Sequence, residues 1–108
     1  MGLNVKTPVS LAVASDGTAS KATVLSATSR VFHSALIQAN GTNTNAVYLG
    51  DSTASATASP AIGIKLNPGD VVPINQEVRE RINVYDLSAW YISAVVAAEG
   101  VNILYTKD

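Results

Sequence analysis

No apolar run in this chain goes far before a turn former interrupts it, and that punctuation constrains the fold more than any motif. Asp16-Gly17, Asn40-Gly41, Gly50-Asp51, Pro68-Gly69 and Glu99-Gly100 divide the sequence into short β-prone segments. Segments of this length cannot nucleate a stable helix in water, but they suit strands joined by tight reversals. Roughly six to eight short strands and no long helix are expected, the pattern of an antiparallel sandwich or small barrel.

The individual runs support this. From Arg30 onward Val31, His33, Ala35, Ile37 and Ala39 alternate with Phe32, Ser34, Leu36 and Gln38, so the first set is expected to face a core. Asn40 to Thr44 reads as a turn, and Ala46 to Leu49 as a second strand completing a hairpin. Asp51 to Pro60 is a Ser/Thr/Ala loop without periodicity. Ile62, Ile64 and Leu66 share one face of the next strand; Asn67-Pro68-Gly69-Asp70 specifies a type II turn into Val71–Ile74, where Pro73 indicates an edge or a bulge. Leu87, Trp90, Tyr91, Ala94, Val95 and Ala98 fit a helical template, but Tyr91 to Val96 is β-branched and aromatic. The reading chosen is a one-turn corner at Asp86 to Ala89, then a terminal hairpin from Tyr91 to Thr106 across Glu99-Gly100. Phe32, Trp90, Tyr91 and Tyr105 are the large side chains available to fill a space between two sheets.

Residues 1–29 carry no aromatic side chain and few large apolar ones. They are read as an extended N-terminal arm with one or two strands, Val9 to Ala14 and Lys21 to Ala27, preceding a β-sandwich domain over 30–108. With 108 residues, roughly 65% of the unfolded surface can be buried, so one domain with a real core is expected. Ala12-Val13-Ala14 has the small-residue spacing of a signal cleavage site, but the run before it is short and broken by Pro8 and Ser10, so a retained segment is expected. The myristoylation pattern after Gly2 fails at Lys6, and no run is long enough to span a bilayer. Asn40-Gly41-Thr42 is formally a glycosylation sequon, with a turn as its expected role.

Chemistry is sparse. There is no cysteine, so disulfides and thiolate chemistry are excluded. His33 is the single histidine, in a strand without a nearby carboxylate, and is expected to be a partly buried, hydrogen-bonded side chain rather than a catalytic base. The eight carboxylates are scattered with no calcium-loop spacing; Asp51 and Asp70 are expected to form turns. No phosphate-binding or nucleophile-elbow motif occurs. Seven basic residues offset by eight acidic ones make a poor nucleic-acid surface. The dense charges at Glu77, Arg79, Glu80 and Arg81 are either a solvated connector or an ion-pairing contact with a partner chain. Tyr48, Tyr85, Trp90 and Tyr91 would form a sugar-stacking platform if exposed, with core packing the plainer use. Only 14% of residues are charged, against about 25% usually, so the surface suits a closely packed neighbour more than a catalytic cleft. The expectation is a non-enzymatic protein with no cofactor, metal site, nucleic-acid partner or membrane partner.

The second half carries an ordered set of motifs: Val47-Tyr48-Leu49-Gly50, then Leu66-Asn67-Pro68-Gly69, then Asp86-Leu87-Ser88, then Val101-Asn102-Ile103-Leu104-Tyr105. In this order they resemble the small virion proteins of tailed bacteriophages, over about Val31 to Thr106. The resemblance implies a β-sandwich, often of jelly-roll type, attached to the particle as a capsid decoration (cement) protein. Its partner would be the major capsid protein, its own assembly a homo-oligomer with a trimer favoured, and its location the capsid surface of a virion assembled in the host cytoplasm. A head-fibre or tail component is the alternative within the virion, and a carbohydrate-binding β-sandwich module the alternative outside it.

Overall fold

The computed structural model describes residues 7–15, 22–75, 86–96 and 98–107. They form β1 (Thr7–Ala14), β2 (Thr23–Val24), β3 (Ser34–Ala39), β4 (Val47–Gly50), β5 (Ile64–Leu66), β6 (Val71–Asn75), a 3-10 turn (Leu87–Ala89), β7 (Tyr91–Ser93) and β8 (Gly100–Lys107), with no α-helix among the described residues. The protein is all-β. Sheet I has the order β1-β8-β3-β6 and sheet II the order β2-β7-β4-β5, and every pairing is antiparallel. The corner at Asp86 to Ala89 and the strand after it form as the sequence indicates, because the Asp86 carboxylate accepts the Ser88 N–H and caps the turn.

One apolar core draws on both sheets. Sheet I supplies Ala35, Ile37, Ala39, Val101, Ile103 and Tyr105; sheet II supplies Val47, Leu49, Leu66 and Ile92. The period-2 pattern of β3 and β8 is thus realised, with Leu36, Gln38, Asn102 and Leu104 outside. The alternation slips once. Phe32 is 1% exposed and Val31 is 65% exposed, the reverse of the expected parity. His33 donates its N–H at 2.7 Å to the carbonyl of Thr106, which is the register partner of Ser34. Two residues therefore oppose one, and this bulge shifts the inward phase by one position. His33, expected to be partly buried, is exposed. Of Ile62, Ile64 and Leu66, expected to share one face, Leu66 is buried while Ile62 and Ile64 are exposed at the edge of the sheet.

The expected hairpins are corrected by the pairing. β3 and β4 lie in different sheets, and so do β5 and β6, and β7 and β8. The turns exist, but each is bonded to the sheet it leads into or closes against. Asn43 donates its side-chain amide to the Gly100 carbonyl (3.0 Å) and accepts from the Gly100 N–H (3.3 Å), drawing the β3–β4 link across the start of β8. The type II turn at 67–70, with Gly69 at φ +89°, donates the Gly69 N–H to Ala39 and accepts the Ala39 N–H at the Asp70 carbonyl, so β6 is steered onto β3. Ser15 exchanges backbone bonds with Ala98 and Glu99, which sets β8 beside β1. The pair adjacent in both sequence and sheet is β4–β5, across the Ser/Thr/Ala loop. Pro73 sits on an edge strand, as expected.

Both strands anticipated in the N-terminal segment are present, one in each sheet. β1 pairs with β8 from Thr7↔Lys107 to Ala14↔Gly100, so residues 7–14 belong to the sheet rather than standing clear as an arm. The close approach of β1 depends on Gly100: a Cβ there would lie 1.9 Å from the Val13 carbonyl oxygen and 2.8 Å from the Ala14 Cα. Backbone atoms cannot move aside cheaply. Gly100→Ala is therefore expected to cost about 2–3 kcal/mol or more, read as a lowered denaturant midpoint. Phe32→Ala is expected to cost about 3–5 kcal/mol while Val31→Ala stays within about 0.5 kcal/mol, a contrast that tests the bulge directly.

Candidate interaction face

The outward side chains of sheet I form rows across its four strands. Register aligns Pro8, Thr106 and Ser34; then Ser10, Leu104, Leu36 and Pro73; then Ala12, Asn102, Gln38 and Val71. None of these residues is charged. Leu36 and Leu104, on the two central strands, are each 46% exposed, and Val71 on the edge strand β6 is 49% exposed. Leu36, Leu104, Gln38 and Val71 border a shallow groove of about 570 Å³ that also touches Ser10 and Ala12. A second hollow, beside Ser34, Pro73 and Thr106, adjoins it across Leu36 and Leu104. Such a face has no charged group to desolvate on contact and presents the branched apolar side chains of Leu36 and Leu104 on its central strands.

Sheet II is different. Its outward Ser93 is fully buried, and its Oγ accepts the Ala56 N–H at 2.9 Å, so the loop after β4 lies over that face. Ala54 of the same loop is buried as well. Sheet I thus carries the barer of the two faces among the described residues.

Carboxylates are turned to structural work. All four among the described residues accept a backbone N–H: Asp51 from Thr53, Asp70 from Asn67, Asp86 from Arg30 and Ser88, Glu99 from Thr44 and Asn45. The turn roles expected for Asp51 and Asp70 are met. Asp86 also accepts from the Ser29 hydroxyl, and this bond, followed by those from the Ser88 and Arg30 N–H groups, holds its carboxyl far below the ordinary range. The Thr44 hydroxyl, at 2.7 Å, and the Thr44 N–H lower Glu99 in the same way. Arg30 donates to Ser26 Oγ and to Tyr105 Oη, each at 3.1 Å, and so satisfies the hydroxyl of a buried tyrosine.

Among the described residues the aromatic side chains divide between the core and the outward side of sheet II. Phe32 and Tyr105 are in the core, Trp90 packs against it, and Tyr91 lies on the outward side of sheet II with Tyr48 diagonal to it on β4. Tyr85 and the charge cluster at Glu77, Arg79, Glu80 and Arg81 lie outside the described residues. Asn40 sits at a turn closed by the Asn43 N–H on the Asn40 carbonyl. No group of three or more potential metal ligands occurs among the described residues, and no helix there is long and apolar enough to cross a membrane. Comparison with protein-family models, curated proteins and solved structures finds no match.

The signal for this face in the sequence is a leucine at a solvent-facing parity in each of two neighbouring strands, Leu36 and Leu104.

Acid stability tests the carboxylate clamps. Both folded-state pKa values are depressed, so the stability from Asp86 and Glu99 is present above the ordinary carboxylate range and is lost as pH falls through the folded values. The denaturant midpoint is expected to drop on acidification below about pH 4. The double variant Asp86→Asn/Glu99→Gln is expected to be less stable at neutral pH and to show a shallower acid slope.

Proposed function

We propose that this chain is a structural protein of a tailed-bacteriophage virion, a jelly roll that binds the outside of the head as a decoration protein and stabilises contacts between major capsid subunits. The jelly-roll reading is supported by the nested pairing: β1 with β8, β2 with β7, β3 with β6 and β4 with β5, wrapped into two four-stranded sheets. That arrangement is common to viral capsid and lectin domains. The observation that carries the docking role is the uncharged outer face of sheet I, with Leu36 and Leu104 exposed on its central strands and Val71 beside them on β6. The virion setting rests on the ordered motifs of the second half.

A decoration protein needs rigidity and a broad, weakly hydrated contact surface rather than a reactive cleft. The turns locked by Asp51, Asp70, Asp86 and Glu99 supply the first, and sheet I supplies the second. The test is addition of the purified chain to phage heads assembled without it. Saturable binding and a raised resistance of the heads to heat are expected, and Leu36→Asp or Leu104→Asp is expected to weaken binding at least about tenfold by burying an unpaired charge. Absence of binding together with no gain in head stability overturns the reading.

A further inference from the structure

Among the described residues the sheet edges are β1 and β6 in sheet I, and β2 and β5 in sheet II. Unpaired backbone groups along an edge form a template for another strand, and proteins blunt such edges with short strands, proline or charge. β2 has two residues and β5 three. The contrast between β6 and β1 follows from the ladder.

In an antiparallel ladder each residue turns its N–H and C=O to the same neighbour, and successive residues alternate. Asn40 donates to the Gly100 carbonyl at 3.0 Å, so even-numbered residues of β8 face β3 and odd-numbered ones face β1. Thr7, Val9, Leu11 and Val13 are paired with those odd positions. Pro8, Ser10, Ala12 and Ala14 therefore direct their backbone groups away from the sheet. On the opposite edge, the Gly69 N–H bonds the Ala39 carbonyl, so odd residues of β3 face β6 and pair with Val72 and Ile74. Val71, Pro73 and Asn75 face outward, and Pro73 removes the middle donor of that edge. On β1 the proline stands near one end only. Ser10, Ala12 and Ala14 leave three successive outward donors with acceptors between them, on an edge whose eight residues carry no charge.

We infer that β1 is the self-association edge of this protein, pairing antiparallel with β1 of a second copy about a two-fold axis at Ala12. The strand is complementary to itself. With Ala12 opposite its counterpart, Ser10 falls opposite Ala14 and Ala14 opposite Ser10, so each outward N–H on both strands meets a carbonyl. Leu11 falls opposite Val13 on the inward side, where both side chains pack only partly covered against the core. The partner's Leu11 and Val13 cover them. The outward side chains Ser10, Ala12 and Ala14 are small enough to admit a neighbouring strand, and no like charges oppose one another. The product is a continuous eight-stranded sheet whose uncharged outer face is doubled, with the closed symmetry of an isologous dimer. This two-fold contact differs from the trimer that the virion resemblance implies, and it does not depend on that resemblance.

Sedimentation equilibrium on the full chain tests it without any phage component. The wild type is expected to be a dimer. Ala12→Pro removes an N–H directed away from β8, and is expected to raise the dimer dissociation constant about tenfold or more with an unchanged β-type circular dichroism spectrum. Ala12→Glu places two carboxylates side by side on the two-fold axis; its dimer is expected to weaken at low salt and recover as salt is added. This second variant serves if the proline variant fails to fold. A monomeric wild type overturns the inference, as do variants that dimerise like the wild type. So does an Ala12→Pro variant that still self-associates but no longer binds heads, since the edge would then serve a different chain.

Discussion

β8 is the strand on which the rest of the structure depends. It pairs with β1 along one side and β3 along the other, and its inward Val101, Ile103 and Tyr105 supply sheet I with much of its core. Its position is possible only because Gly100 lets the β1 backbone pass where a side chain would stand. Sheet I is therefore built from residues at opposite ends of the sequence. Such pairings reward the chain only after a large loop has been closed, which makes for slow, cooperative folding.

Low charge is the second organising feature, and it acts in two places. The carboxylates among the described residues are used to hold turns, where backbone N–H groups would otherwise lack partners. The outward rows of sheet I and its β1 edge are left without charge. A surface of this kind is poorly protected against contact, which is what the proposed attachment to other proteins and to a second copy requires.

Much of the fold was legible in the sequence. The all-β class, the Pro68-Gly69 turn, the Asp86 corner, the inward set Ala35, Ile37 and Ala39 of β3 and the edge placement of Pro73 follow from backbone sterics and side-chain period, which act over a few residues. The phase slip at His33 was not legible, because a bulge is set by the partner strand. The three expected hairpins are split between the two sheets for a related reason. A turn states that the chain reverses; it does not state whether the next strand bonds the previous one or faces it across the core. The interaction face was half visible, in the leucines at solvent-facing positions, but its breadth depends on which four strands lie side by side.

The sequence by itself determined that this chain would be short strands and tight reversals around a small apolar core, because alternation and positive φ at glycine are local properties of the backbone. The tertiary structure alone decided which strands became neighbours and which edge was left open. Those outcomes turn on distant hydrogen bonds, such as Asn43 with Gly100 and Glu99 with Thr44, whose partners are more than fifty residues apart and meet only when the two sheets close.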